Sequence, residues 1–377
     1  MVFFLSSIAI IITYTLITNI IVTHKLEEPS LAQFKAHFVD YASTLYCPCN
    51  QLSISYQDLI TFNITYHQIC SSDFVQEPWI KFLSSGTYAN IFVWTDFRII
   101  GATYFRILST LCRLANTAAK KSINEFFAKN FLNSLMLSES QFDSRIQDAG
   151  LQFQSQAISH FPNTIQVLRD FVHGNAFVSI YALNWRFQVP KNASDRKLLI
   201  ASVSMNDNCS CGTRKDCTTS GPFHSLMPAW VLGCSILEGI IRSSLESLYN
   251  QTVINALESF LINSDPIYLP NQVHATSMNS SINSRFPLNA HIEYMIDELF
   301  IEKWVFDWSY LDFYHQCAPS YCLYSTEERQ NMLVVISRIL SFYGGLTVSF
   351  RVAAPLFAYI FIKVQMIFIR FYSNVLE

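Results

Sequence analysis

Charge is scarce in this chain. Lysine, arginine, aspartate and glutamate make up 14% of its 377 residues, against roughly a quarter in ordinary soluble domains. The formal net charge is only −3, which argues against a nucleic-acid partner and leaves no polybasic patch for a membrane surface. Catalytic signatures are missing too. There is no GxSxG elbow, no HExxH and no phosphate-binding glycine loop. Nine histidines are scattered without ligand spacing, so no catalytic residue, metal ligand or cofactor is read, and an enzyme is not expected. His67 lies close to Cys70, but a cysteine held in a disulfide is no nucleophile.

Apolar residues are abundant, at 51%, and they gather at the two ends. Met332 to Ile362 reads MLVVISRILSFYGGLTVSFRVAAPLFAYIFI, which as a helix would reach roughly 46 Å, beyond the ~30 Å hydrocarbon core of a bilayer. Arg338 and Arg351 interrupt it. The best register places each at a membrane boundary, with its side chain snorkelling towards a headgroup layer. Ser337, Ser341, Gly345, Ser349 and Ala353 recur every four residues, a stripe of small side chains against which another helix can approach closely. Pro355 follows one turn after Arg351 and is expected to bend the helix.

At the other end, Val2 to Val22 carries no charge over twenty-one residues, long enough to cross a bilayer. The missing basic n-region, the long apolar core and the lack of a small-x-small site before His24 favour an uncleaved anchor over a cleavable signal peptide. Lys363 and Arg370 favour a cytoplasmic C-terminus. The expected organisation is an N-terminal membrane anchor at 1–23, an extracellular body at 24–330, a C-terminal membrane helix at 331–362 and a short cytoplasmic tail at 363–377.

Ten cysteines, Cys47, Cys49, Cys70, Cys112, Cys209, Cys211, Cys217, Cys234, Cys317 and Cys322, all lie between the apolar ends. That even set implies an oxidising exterior and up to five disulfides whose pairing the sequence leaves open. Neighbours in Cys47-Pro48-Cys49 are poorly placed to bond to one another, so each is expected to reach a distant partner. The C-x-C-x5-C-x16-C run from Cys209 lacks the paired CxxC knuckles of structural zinc sites. Glycosylation sequons fall in the same middle region, at Asn63, Asn192, Asn208, Asn250 and Asn279.

The middle reads as mainly helical α+β. Capping boxes at Ser30/Gln33 and Ser138/Gln141 and an N-cap at Asp73 open helices, and Ser235/Glu238 and Asn250 open two more. From Asp96 to Lys129, Ile100, Ile107, Leu111, Leu114 and Ala118 mark a helix face, and Pro162 is expected to interrupt the helix that follows. Strand-like runs lie at 182–189 and 198–205, and Asn263 to Asn289 is a polar loop. The aromatic cluster Trp304 to Tyr314 suits either a membrane-interface belt or core packing.

Taken together, CPC, HQICSSDFV, NCSC and CAPSYC before a GGL-containing apolar run resemble a family of two-pass, cysteine-rich surface proteins. That resemblance implies a topology and no activity. A looser similarity, in layout and in Leu340 to Gly345, is to degenerin and epithelial sodium channels, which implies a trimeric cation channel. The small-residue filter of that family would fall near Val352-Ala353-Ala354, where its Gly and Ser are missing. The expected protein is therefore a membrane protein of two transmembrane helices flanking a disulfide-rich α+β ectodomain, a plasma-membrane glycoprotein that binds an unknown extracellular ligand. Its other partners are the lipid bilayer and, through the C-terminal membrane helix, further copies of itself; a channel subunit is the alternative.

Overall fold

The computed structural model describes residues 6, 9–10, 12–14, 17–84, 96–179, 181–188, 199–264 and 273–373. It divides into two compact units, one of Met1–Leu52, Asn133–Ser138 and Cys317–Glu377, the other of Ser53–Leu132 and Glu139–Gln316. Numbered along the chain, the helices are α1 (Leu31–Tyr41), α2 (Glu77–Ser84), α3 (Phe97–Phe127), α4 (Glu139–Gly174), α5 (Ile236–Arg242), α6 (Gln251–Ser264), α7 (Ile292–Asp297), α8 (Tyr310–Cys317) and α9 (Met332–Ser373). The principal strands are β1 (Asn19–Glu27), β2 (Ser53–Ser55), β3 (Ile60–Tyr66), β4 (Asn130–Leu132), β5 (Trp185–Gln188) and β6 (Leu199–Ser202), followed by β7 (Ser204–Met205), β8 (Cys209–Ser210), β9 (Thr218–Ser220), β10 (Val231–Gly233), β11 (Ile301–Trp308) and β12 (Tyr321–Arg329). The protein is thus a mixed helix and sheet structure, and its ten cysteines form five disulfides.

In the first unit, β1 pairs antiparallel with β12 from Asn19↔Arg329 to Glu27↔Tyr321. This corrects the sequence reading. Asn19 to Val22, expected inside the first membrane segment, are strand, because the β-branched run Ile20-Ile21-Val22-Thr23 fits a pleated ribbon once β12 supplies a ladder. The N-terminal apolar segment therefore ends by Thr18, not at residue 23. Ser30 opens α1 with a reciprocal capping box: the Gln33 N–H donates to Ser30 Oγ at 3.3 Å and the Ser30 N–H to Gln33 Oε1 at 2.8 Å.

Cys47 and Cys49 are each bonded to a different cysteine of the segment that leads to α9, Cys322 and Cys317 respectively. Backbone bonds brace this knuckle on both sides, from Leu323 N–H to Tyr46 O at 2.8 Å and from Met136 N–H to Cys47 O at 2.8 Å. Beyond β12, α9 holds an apolar span of 38 residues from Met332 to Ile369. Among the described residues it is the one helix long and apolar enough to cross a bilayer, and its most apolar window is unburied. Pro355 lies within α9 without ending it, and the helix continues past Lys363, so residues 363–373 of the expected separate tail are its last turns, while 374–377 lie outside the described residues.

In the second unit, α3 and α4 are the long supports. Asp96 caps α3, its Oδ1 accepting the Arg98 N–H at 2.9 Å. Ile100, Tyr104, Leu108, Leu111, Ala115 and Ala119, at steps of three and four, are the buried face. The sequence reading placed Ile107, Leu114 and Ala118 on that face; they lie off it, and Leu114 is 39% exposed. On α4, Phe142, Ile146, Phe153, Ala157, Phe161 and Ile165 are buried in one continuous stripe. Pro162, expected to interrupt this helix, sits inside it. The stripe is buried on both sides of the proline, and that packing offsets the loss of one backbone hydrogen bond.

β11 pairs with β3, so Trp304 and its neighbours belong to the core of this unit and not to a membrane-interface belt. Trp304 stands edge-on to Phe153 at 5.8 Å, and Phe313 stacks on Phe142 at 4.6 Å, both close-packed contacts of buried rings. Asp73, expected to cap a helix, instead begins a short 3₁₀ turn, and its Oδ2 accepts the Thr276 N–H at 2.9 Å. The small strands β7 to β10 carry two further disulfides, Cys209–Cys217 and Cys211–Cys234. Gly233 permits the closest approach here, since a Cβ on it would stand 2.5 Å from the Gly239 nitrogen of α5.

Candidate functional site

Apolar residues in excess of what the core requires make the site. Ile107 and Leu114, beside the buried Leu111, form a second stripe on α3, and Leu168 and Val172, beside the buried Ile165, form one on α4. These two stripes line a cavity of about 540 Å³, within the roughly 300–1,000 Å³ of small-molecule sites. The Cys211–Cys234 disulfide and Trp185 contribute to its wall. Leu168 is 47% exposed, an unusual state for a leucine on a face that curves inward.

At one side the apolar lining gives way to charge. Arg169 donates from Nε to Glu238 Oε1 at 2.7 Å and from Nη2 to Glu238 Oε2 at 2.9 Å, while its Nη1 reaches Glu293 Oε1 at 2.7 Å. Burial pulls the Arg169 guanidinium down from its usual range, but the hydrogen bonds and charges of Glu238 and Glu293 outweigh that and push it up, so it stays a cation. Arg242 pairs with the other oxygen of Glu293 at 2.9 Å.

A second, polar cavity of about 470 Å³ opens beside the first, and the two share Arg169, His173 and Lys215. Arg214, Asp170 and Asp216 also line it. Lys215 hydrogen-bonds Asp170 and holds its carboxyl below the usual carboxylate range; Arg214 does the same for Asp216. The arrangement is an apolar chamber beside a polar, charged one, with Arg169, His173 and Lys215 lining both.

Of the cysteines, sequon asparagines and α9 residues singled out from sequence, Cys211 and Cys234 line the cavity and the others among the described residues lie elsewhere. Cys70 pairs with Cys112, and the buried His67 beside it serves as a structural connector. Its Nδ1 accepts the Ile69 N–H at 3.2 Å, and its Nε2 lies 3.0 Å from Tyr249 Oη. Asn63, Asn208, Asn250 and Asn279 are all exposed; Asn192 lies outside the described residues. Along α9, Ser337, Ser341, Gly345 and Ser349 are exposed and Ala353 is half-buried. Arg338 donates to Gln330 Oε1 at 3.0 Å, and Arg351 is exposed. The cavity was missed because its residues read as core; the available signal was an α3 pattern with more apolar positions than one helix face can bury.

Compared with known proteins, the chain matches no family model, no curated protein and no solved structure.

Proposed function

We propose that this chain is a surface-exposed membrane glycoprotein whose disulfide-stapled ectodomain is a receptor for a small apolar ligand. The observation that carries the reading is the cavity between α3 and α4, lined by leucine, isoleucine and valine, with Leu114 and Leu168 open to solvent. Exposed apolar surface in a concave site gains free energy when a ligand displaces its water, about 25 cal/mol per Å² covered.

Anchoring rests on α9 and, in this proposal, on residues 1–18 as a second span. Asn19 pairs with Arg329, three residues before α9 starts, so both apolar segments leave the same end of the β1–β12 ribbon. Ile10, Tyr14 and Ile17 are helical and exposed, the state expected of lipid-facing side chains. With both ends in the membrane, the cysteines and the sequons share the outer side, at the plasma membrane. The exposed sequon asparagines support that placement.

The test is photolabelling of the full chain in phosphatidylcholine nanodiscs with a diazirine-bearing hexadecanol. Labelling of α3 and α4 at the cavity, lost in Leu168→Trp, supports the receptor reading. Labelling confined to α9 would reflect lipid contact alone and would overturn it.

A further inference from the structure

We infer that the ligand is a single-chain amphiphile with an anionic headgroup, its chain in the apolar chamber and its head in the polar one. This rests on the receptor reading above and adds the chemistry of the ligand. Two cavities of unlike lining share Arg169, His173 and Lys215. A wholly apolar molecule would leave the wet chamber unused, and a wholly polar one the oily chamber; an amphiphile fills both.

The sign of the headgroup follows from the charges. Across the two chambers Arg106, Arg169, Arg214, Lys215 and Arg242 stand against Asp170, Asp216, Glu238 and Glu293, five cations to four carboxylates. The lining is therefore positive by one, in a chain whose net charge is −3. Two of the cations have donors to spare. Lys215 has ammonium protons beyond the one it gives to Asp170, and Arg106, which lines the apolar chamber, has no acidic partner among the described residues. Glu238 is already neutralised by Arg169 from inside, so it does not repel an anion at the shared boundary. An oxygen of a carboxylate or phosphate placed near Lys215 would receive charge-assisted hydrogen bonds from the remaining ammonium protons.

The experiment compares diazirine palmitate with diazirine hexadecanol on the full chain in phosphatidylcholine nanodiscs, reading cavity peptides of α3 and α4. Palmitate is expected to half-saturate at a concentration on the order of tenfold lower than hexadecanol, as one charge-assisted hydrogen bond supplies. Added salt should raise the palmitate value and leave the alcohol's unchanged. In Lys215→Gln/Arg242→Gln the preference should vanish while hexadecanol labelling persists, which also reports that the variant is folded. Should that variant lose all labelling, the salt series on the unaltered chain decides.

Equal half-saturation by acid and alcohol, insensitive to salt, would overturn the anionic headgroup and leave the apolar receptor standing. No cavity labelling by either would sink both. Competition with unlabelled palmitate and with lysophosphatidate then assigns the head to carboxylate or phosphate.

Discussion

Arg169 and Glu238 lie 69 residues apart in sequence and meet as a two-pronged ion pair, each side chain less than a tenth exposed. The pair ties α4 to the first turn of α5 at the boundary between the oily and the charged chambers. Its two halves are not equivalent. Arg169 has a second carboxylate in Glu293, whereas among the described residues Glu238 has Arg169 as its one ion-pair partner.

Removing the arginine should therefore cost more than removing the acid. Arg169→Met strands a buried carboxylate and is expected to lose about 3–5 kcal/mol. Glu238→Gln leaves Arg169 paired with Glu293 and should lose less. Arg169→Met/Glu238→Leu should recover much of the loss. Thermal unfolding of the three variants in nanodiscs checks the order, and equal losses from the two single changes would contradict it.

The Cys47–Cys322 and Cys49–Cys317 bridges span 275 and 268 residues, one nested within the other. Once either is closed, the other shuts a ring of only a few residues. Loop-closure entropy then predicts about 2–3 kcal/mol for losing one bridge and about 5 kcal/mol more for losing the second. Paired Cys→Ala changes, first at one bridge and then at both, measure this by denaturant midpoint; equal steps would contradict it.

His67 gives a pH dependence of definite sign. Burial lowers its imidazole from the usual value, with Glu302 opposing, and the Ile69 N–H occupies Nδ1 as a donor to the neutral ring. The unfolded chain therefore takes up a proton at about pH 6.5 that the folded chain refuses. The contribution of His67 is fully present above that pH and is lost as pH falls below it. His67→Asn, which keeps an acceptor, should flatten the difference in stability between pH 7 and pH 5.

Gly233→Ala tests the close approach of β10 and α5. The added methyl meets backbone atoms of Glu238 and Gly239 that have no rotamer to yield. Overpacking of this kind costs about 1–3 kcal/mol. The readout is the melting temperature together with labelling of the adjacent cavity, both of which should fall.

Local chemistry was legible wherever a short-range rule decided the outcome. The capping box at Ser30, the cap at Ser235, and the strongly apolar run that became α9 rest on neighbours within a few residues. Long-range partners decided the rest. Nothing around Ile20 and Ile21 reveals that Glu328 and Glu327 will pair with them, so a membrane segment read four residues too far. Pro162 reads as a stop until the burial of Phe161 and Ile165 is known, and Trp304 reads equally as an interface or a core aromatic until β3 lies beside it. The cavity was hidden for the same reason. Ile107 and Leu114 carry no mark that separates a core residue from a cavity wall; the distinction lies in what stands opposite.

The account depends above all on α9 crossing a membrane and on the cysteine-bearing body lying outside it. Treating intact cells that express the full chain with peptide-N-glycosidase tests this most directly. The account predicts a downward mobility shift that shrinks stepwise as Asn63, Asn208, Asn250 and Asn279 are changed to Gln. No shift on intact cells, with none after permeabilisation either, would contradict it.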